Sequence, residues 1–291
     1  MSRARTIEAV ASVLTWTAVG AGLLLAPASA GAAVSVSSNW AGYVALPSAS
    51  VGSRFSSVSG SWTQPSATCS AGREAYSAVW VGLGGYRENA RSLEQIGTDA
   101  DCTRSGSPTY SSWYELLPAG PVELKLKVHP GDEMSASATV RAHEVTLRIR
   151  DLSTGARFTR TLRASSVDVS SAEWILEAPS ACAGTSLCAT LPLTNFGTVT
   201  FSSATATAHG HTGAVEDRNW SARALELRQG GGASGGGPAA SRNLSSRALT
   251  VATPSGASSS DGAFVVGWQE QPIQVEAPSV PTLPGFNGGP P

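Results

Sequence analysis

The segment that decides the fold reads Val145-Thr-Leu-Arg-Ile-Arg150, then Asp151-Leu-Ser-Thr-Gly155, then Arg157-Phe-Thr-Arg-Thr-Leu-Arg163. In the first piece apolar and polar residues alternate with a period of two, the pattern of a β-strand with one buried face. The second piece is rich in turn-forming residues, and the third returns to strand-like sequence. Together the three pieces predict a β-hairpin.

The chain on either side of this hairpin shows the same kind of pattern. Val122-Glu-Leu-Lys-Leu-Lys-Val128 alternates in the same way and predicts another strand. Further strand candidates are Ser77–Leu83, Ser112–Leu117, Ala172–Leu176, Thr198–Ala206, Arg223–Leu227, Ala248–Ala252 and Ala263–Gln269. Short strands separated by Gly, Ser and Pro turns at this density predict an all-β domain, either a sandwich or a barrel. No amphipathic helix is recognised after residue 30.

The first thirty residues have the order of a secretory signal peptide. Arg3 and Arg5 precede an apolar run from Ala9 to Ala26, and Ala-Pro-Ala-Ser-Ala ends it at residues 26–30. An uncleaved membrane anchor is the alternative, because the run is near the lower length limit for a spanning helix. We expect a secreted, extracellular protein that leaves the membrane after cleavage, with residues 31–275 as one domain. A Gly-rich loop is expected at 230–238 and a disordered Pro/Gly-rich tail at 276–291.

Charge excludes several kinds of partner. The full chain has a formal charge of −1, and removal of residues 1–30 leaves 18 basic and 20 acidic residues. Such a balance predicts no binding to nucleic acid or to an anionic membrane. Charged residues make up only 14% of the chain, so Ser, Thr and Gly must keep its surface soluble, as would suit an acidic environment.

Four cysteines follow the signal, which predicts two disulfides. Cys182 and Cys188 are close enough in sequence to close a short loop, which leaves Cys69 to pair with Cys102. A zinc site is the competing reading, but no CxxC or matching His spacing supports it, and we expect no metal and no cofactor.

Several catalytic patterns fail in their context. Gly232-Ala-Ser-Gly-Gly236 matches G-x-S-x-G but lies in a glycine tract, whereas a nucleophile elbow joins a strand to a helix. None of the four histidines sits in a convincing Ser/His/Asp arrangement, and His209 and His211 have no third metal ligand nearby in sequence. No pair of D-T-G or D-S-G loops marks an aspartic protease.

Polar residues inside strand-like sequence remain as candidates. Gln95 lies in Ser92-Leu-Glu-Gln-Ile-Gly97, and Glu173 and Glu177 are four residues apart, hence on one face of a strand. On pattern alone, the favoured reading of these two glutamates is a solvent-facing edge with exposed carboxylates. Trp40, Trp80 and Trp113 could fill a core or form the walls of a groove.

Six motifs occur in an order that resembles the glutamic peptidases (the eqolisin family). They are Asn39-Trp-Ala-Gly-Tyr43, Ala78-Val-Trp-Val-Gly-Leu-Gly-Gly85, Leu93-Glu-Gln-Ile-Gly97, Ser112-Trp-Tyr-Glu-Leu-Leu-Pro118, Gly131-Asp132 and Ala172-Glu-Trp-Ile-Leu-Glu177. The resemblance is good from Ser37 to Phe201 and looser to Trp268. Each motif alone is weak, but six in register are strong, and Cys182 and Cys188 fall where the family has a disulfide.

The resemblance implies a fold and a site. The fold would be an antiparallel β-sandwich of two large curved sheets, of the concanavalin or lectin-like kind, with a substrate groove on one sheet. The catalytic glutamine would be Gln95 and the catalytic glutamate Glu177. Trp40, Trp80, Trp113 and Glu115 would line or support the groove. Two positions depart from the family, since Gly84 and Ser111 stand where an aspartate often occurs.

The implied activity is a secreted acid endopeptidase, a monomer that acts on protein or peptide substrates. Glu177 would serve as general acid and base and Gln95 would stabilise the oxyanion. A free glutamate titrates near ~4.3, which would leave such a base partly ionised in mild acid. Only about eight residues separate Ala30 from Asn39, so we expect control by pH rather than by an N-terminal inhibitory segment.

Two other functions remain open on the sequence. One is a non-catalytic β-sandwich that binds polysaccharide or protein, which the eight tryptophans would also suit. The other is a glycosidase that uses Glu115 and Glu177 as its two carboxyl groups.

Overall fold

The computed structural model describes residues 32–48, 54–87, 90–183, 187–230 and 247–270. The expected signal at 1–30 and tail at 276–291 lie outside these ranges, as does nearly all of the Gly-rich loop. In the described residues there are eighteen strands and no helix. The strands are β1 Ala33–Ser37, β2 Trp40–Pro47, β3 Phe55–Thr63, β4 Ala78–Gly84, β5 Leu93–Cys102, β6 Pro108–Leu116, β7 Val122–Glu123, β8 Glu133–Arg141, β9 Glu144–Asp151, β10 Arg157–Arg163, β11 Ala172–Glu177, β12 Ser180–Ala183, β13 Leu187–Thr190, β14 Thr198–Ala208, β15 His211–Ala214, β16 Trp220–Gln229, β17 Leu249–Pro254 and β18 Phe264–Trp268.

The predicted hairpin is β9 and β10, paired antiparallel from Glu144–Arg163 to Arg150–Arg157. Val145, Leu147 and Ile149 are buried, as the alternation predicts, while Arg148 and Arg150, on the opposite side of the strand, are exposed. The hairpin stands at one end of a long sheet whose strand order is β10-β9-β8-β3-β14-β18-β17-β16-β2-β11-β4-β5-β6-β7. Neighbours along this order are antiparallel. β1 pairs in parallel with β16, β15 pairs with β14, and β12–β13 is a separate hairpin.

This sheet folds over itself, so that its two halves pack face to face as a sandwich. β4 and β5 lie against β3, β8 and β9. Two tryptophans join the layers: Trp62 Nε1 donates to Thr98 Oγ1 at 3.0 Å, and Trp174 Nε1 donates to the Ser59 carbonyl oxygen at 2.7 Å. Burial of aromatic and β-branched residues between the halves supplies the main stabilisation. The predicted all-β sandwich is confirmed.

One predicted strand is wrong in extent. Only Val122–Glu123 of the predicted Val122–Val128 strand joins the sheet, as β7. Beyond it the Leu124 N–H donates to the Ser112 carbonyl at 2.8 Å, and the Ser112 hydroxyl, rather than a backbone N–H, donates to the Leu126 carbonyl. Leu124 and Leu126 still pack on the core while Lys125 and Lys127 are exposed. Val122, on the same predicted apolar face, is 43% exposed. The alternation therefore predicted the inward side of Leu124, Leu126 and Val128, but neither the exposure of Val122 nor whether the backbone is paired.

The disulfide predictions have different outcomes. Cys69 and Cys102 form a disulfide with Cα atoms 5.4 Å apart, which fastens the loop before β4 to the end of β5. The β12–β13 register places Cys182 opposite Cys188. Their side chains lie outside the described residues, so that disulfide stays a prediction.

Candidate active site

A groove with a cavity volume of about 600 Å³ lies on the outer face of the half-sheet that contains β2, β11, β4, β5, β6 and β7. All the residues proposed from the sequence for catalysis or groove lining, except Trp80, line it directly. The lining residues are Asn39, Trp40, Tyr76, Ala78, Leu93, Gln95, Asp99, Asp101, Ser111, Trp113, Glu115, Leu117, Pro121, Glu123, Glu177, Pro179 and Ser180. Trp80 is fully buried beneath the groove.

Strand register explains why these side chains meet. Gln95 on β5 is directly opposite Glu115 on β6, and Glu177 on β11 is directly opposite Trp40 on β2 and Ala78 on β4. Residues opposite each other in an antiparallel sheet point to the same face. Alternation along each strand then presents every second residue to the groove.

The Gln95 amide is buried, with 4% of the residue exposed. Its Nε2 donates to Glu115 Oε2 at 2.6 Å, while its Oε1 has no hydrogen-bond partner among the described residues. A buried amide oxygen without a partner is costly, and a water or substrate donor in the groove would satisfy it. The amide also keeps a second N–H that can donate toward the groove.

Glu177 is held by donors from two other strands or their ends. Asn39 Nδ2 donates to its Oε1 at 3.1 Å, and Trp80 Nε1 donates to its Oε2 at 2.8 Å. Burial raises the pKa of Glu177 to about 7, and the nearby Glu115 carboxyl adds to the rise. The hydrogen bonds from Asn39 and Trp80 lower the pKa but do not cancel this rise. Glu177 therefore titrates at a higher pH than a free glutamate, and it is mostly protonated in acid.

Trp80 fits its place because Gly97 has no side chain, and Gly82 leaves it further room. A Cβ added to Gly97 would lie 2.6 Å from Trp80 Cβ and 2.3 Å from the Val79 carbonyl oxygen, contacts that cannot exist. A Cβ on Gly82 would come within 3.0 Å of the Trp80 ring. Trp40 packs edge-on against the same ring, with centroids 5.0 Å apart. The indole that donates to Glu177 is thus fixed from below and from one side.

A second carboxyl in the groove, that of Asp99, lies in the same cross-strand row as Glu177 and is held in a similar way. Trp113 Nε1 donates to Asp99 Oδ1 and the Ser111 hydroxyl donates to Asp99 Oδ2, both at 2.7 Å. Burial, together with the neighbouring Asp101, raises the pKa of Asp99 to about 7. Burial also raises the pKa of Asp101 to about 6.

Gly84 and Ser111, the two departures from the family pattern, each lie next to an aspartate from another part of the chain. Gly84 has φ +84°, and a Cβ there would lie 2.4 Å from Asp168 Cβ, so the Asp168 side chain already fills that space. Its carboxylate accepts the Gly85 N–H at 3.2 Å. Ser111 is opposite Asp99, so this part of the groove takes its carboxylate from β5 instead of β6.

Two of the groove residues were missed from the sequence. Asn39 stood in a recognised motif but received no role, although an amide beside a tryptophan could have been considered as a partner for a carboxylate. Asp99 lies four residues after Gln95 on the same strand, and the same-face rule would have placed it in the groove.

Glu173 corrects the expectation of two exposed carboxylates on a strand edge. β11 lies in the middle of its half-sheet, between β2 and β4, and Glu173 is fully buried. Neither of its carboxyl oxygens has a hydrogen-bond partner among the described residues. Burial raises its pKa well above the usual value, and the nearby Asp168 and Glu94 carboxyls contribute. Burial likewise raises the pKa of Glu94 to about 8.

These two carboxyls should make stability depend on pH. Because the folded pKa values lie above the unfolded value of 4.5, the folded state holds extra protons, and stability falls as pH rises from 4.5 through about 8. Glu173→Gln should flatten this fall in Tm, measured by circular dichroism across that range. The exposed Glu144→Gln is the matched control and should leave the slope unchanged. Parallel slopes for wild type and Glu173→Gln would refute the assignment.

Within the described ranges, no group of three His, Cys, Asp or Glu side chains is arranged to hold a metal ion. No helix in those ranges is long and apolar enough to cross a membrane.

The fold and this groove define a hydrolase of the glutamic peptidase class, and comparison with known proteins gives the family. The chain belongs to the Peptidase A4 family, whose model matches residues 38–233. It is 29% identical over 219 residues to Aspergillopepsin-2 of Aspergillus niger, a match that covers 67% of this chain and 72% of the relative.

Solved structures show the same fold. Scytalido-glutamic peptidase in complex with a peptide-based transition state analog aligns with a TM-score of 0.61 at 21% identity, over 80% of this chain and 98% of that one. Aspergilloglutamic peptidase from Aspergillus niger aligns with a TM-score of 0.51 at 21% identity, over 67% of this chain and 99% of that one. The resemblance to the eqolisin family drawn from the six motifs is confirmed.

Proposed function

We propose that this peptidase is an acid endopeptidase in which Glu177 transfers the protons and Gln95 stabilises the oxyanion. The supporting observation is that one cavity contains both a carboxyl held by Asn39 and Trp80 and an amide with a free N–H and an unpartnered oxygen. Peptide hydrolysis needs a group that exchanges protons with water and the leaving amine, and a donor for the developing oxyanion. These two residues provide both.

The raised pKa of Glu177 indicates which protonation state begins the reaction. In acid Glu177 is protonated, so one carboxyl oxygen carries a proton and the other can accept one. Water attacks the peptide carbonyl carbon, and its proton passes to Glu177. The proton that Glu177 held passes to the amide nitrogen, and the C–N bond breaks to give an acid and an amine. Glu177 ends protonated as it began, while a Gln95 N–H stabilises the oxyanion between the two steps.

This mechanism predicts a definite pH profile. The active form carries a proton on Glu177, so activity is present in acid and is lost as pH rises through about 7. The measurement is kcat/KM on a quenched peptide from about pH 3 to pH 9, with digestion of denatured protein as a second substrate. A metal chelator should leave activity unchanged. Activity that grows as pH rises through 7 would mean that ionised Glu177 is the working form and would overturn the mechanism.

We also propose that the protein is secreted and works as a monomer on extracellular protein, with residues 31–275 as its catalytic domain. The support is the charged, apolar and small-residue order of residues 1–30 and the groove contained within a single chain. The polysaccharide-binding and glycosidase alternatives are not proposed, because the chain belongs to a peptidase family.

A further inference from the structure

The outer face of β8, β9 and β10 carries a cluster of arginines, which we call the arginine face. Its five members are Arg141, Arg148, Arg150, Arg157 and Arg163. Cross-strand register places them on one side of the sheet, because Glu144 pairs with both Arg141 and Arg163, and Arg150 pairs with Arg157. Arg148 is two residues before Arg150 and therefore shares its face. All five are exposed. Glu133 and Glu144 are the acidic residues on the same face.

The near-neutral net charge of the whole chain does not reveal this local excess of arginine. Residues 141–163 contain six arginines and two acidic residues, one of which is the buried Asp151. The rest of the chain after residue 30 therefore carries the excess of acidic groups, including those of the groove. Among the described residues, the ion pairs of this protein involve none of the five arginines.

Protection of a sheet edge does not account for the cluster. Charged residues on β10 would keep this terminal strand from pairing with another chain. Arg148 and Arg150, however, lie on β9, which is already paired on both sides. Arg150 is also directly opposite Arg157, and like charges in that position, with Cβ atoms about 4.5–5.5 Å apart, destabilise a sheet. An anion bound between them would remove that cost.

The surroundings of the arginines define the shape and chemistry of the anion. Next to them the outer face presents hydroxyls from β8, β9, β10 and β3, several of them bonded to each other, as in Thr146–Thr161 and Ser57–Thr139. The outward-facing residues of β8, β9 and β10 include no aromatic ring, so bases have nothing to stack on. The face is a sheet surface with no helix or ribbon to enter a nucleic acid groove. Leu152, half-exposed at the hairpin turn, is a single apolar residue and offers little to a lipid bilayer.

We propose that the arginine face binds a linear phosphodiester polymer of sugars or polyols. Guanidinium groups form bidentate hydrogen bonds with phosphate oxygens, and Arg150 and Arg157 can bind one phosphate between them. Arg148 lies about 6.6–7 Å along the strand from Arg150, in reach of a neighbouring phosphate. The neighbouring hydroxyls can bond the uncharged units. Phosphodiesters stay ionised in acid, where carboxylate polymers lose their charge.

The arginine face and the groove lie on opposite outer faces of the sandwich. Val145, Leu147 and Ile149 alternate with the arginines and point into the core, and so do Val79 and Val81, which alternate with Trp80 beneath the groove. A polymer bound at the arginine face would therefore contact the side of the sandwich opposite the groove and leave the groove open. The inference does not depend on the catalytic mechanism proposed above.

The test is binding of a fluorescent poly(glycerol phosphate) oligomer to the secreted chain, followed by anisotropy. Wild type should bind at low salt and weaken as salt rises. Arg148→Gln/Arg150→Gln/Arg157→Gln should weaken binding by at least about tenfold, because each lost phosphate contact is electrostatic. The exposed and scattered Arg54→Gln/Arg73→Gln/Arg218→Gln removes the same charge and should bind almost as wild type does. Peptidase activity, unchanged in both triple variants, reports that they are folded.

Three results would overturn the proposal. The first is no binding of the oligomer at low salt. The second is equal weakening in both triple variants, which would mean that only net charge matters. The third is tighter binding to vesicles that contain phosphatidylglycerol, or to single-stranded DNA, than to the oligomer.

Discussion

Glu177→Gln should lower kcat/KM at about pH 4 by a factor of about 10² to 10⁴, the contribution that a positioned proton-transfer group makes. An amide at this position can still accept the hydrogen bond from Asn39 or from Trp80. It cannot give a proton to the leaving nitrogen or take one from water. The loss should therefore fall on kcat, while KM changes little, since substrate contacts elsewhere in the groove are kept.

Glu173→Gln is the matched control for this experiment. Glu173 is on the same strand and the same sheet face, is also a buried carboxyl with a raised pKa, and does not line the groove. The same chemical change there should leave kcat/KM at wild-type level at about pH 4. Near-wild-type activity in Glu177→Gln, with Tm measured to show that the variant is folded, would refute the role of Glu177.

Gln95→Met should lower kcat by a factor of about 10² to 10³, the usual effect of removing one oxyanion donor. Methionine has similar length and keeps the position filled, but it cannot donate a hydrogen bond. The variant leaves Glu115 without the donor that holds it at 2.6 Å, so its own pKa should rise further. The measurement is kcat and KM at several pH values.

Gln95→Glu separates the donor role from the packing role. A carboxyl beside Glu115 keeps the shape of the side chain but puts two acidic groups in contact. If protonated it offers one O–H, which Glu115 would take, so the oxyanion would still lack a donor. We expect activity as low as in Gln95→Met. Activity close to wild type in either variant would show that another group stabilises the oxyanion.

Local pattern predicted part of this structure well. Alternation around Arg148 and Arg150 gave the hairpin and its buried face, and the six motifs gave the family. Pattern was less informative about pairing, as Val122–Val128 shows, because a strand-like face can be buried without a backbone partner. It also misjudged Glu173, since a single strand does not reveal whether it lies at an edge or in the middle of a sheet.

The site forms because the order of the strands in the sheet differs from their order in the sequence. β2, β11, β4 and β5 are neighbours in the sheet, although β11 comes far later in the chain than the others. The order of strands in the sheet cannot be derived from the sequence. The sequence therefore does not show that Asn39 reaches Glu177, or that Asp99 lies in the same cross-strand row as Glu177. The role of Gly97 is also invisible in sequence, because the missing side chain matters only once Trp80 lies above it.

The buried carboxyls of Glu94 and Glu177 have one more consequence. Their folded pKa values, about 8 and about 7, both lie above the unfolded value of 4.5, so the fold weakens over the same pH range in which Glu177 loses its working proton. On the proposed mechanism, activity and stability therefore decline together as an acidic environment is neutralised. A molecule that drifts out of its acidic surroundings would become inactive and, at the same time, easier to unfold and degrade.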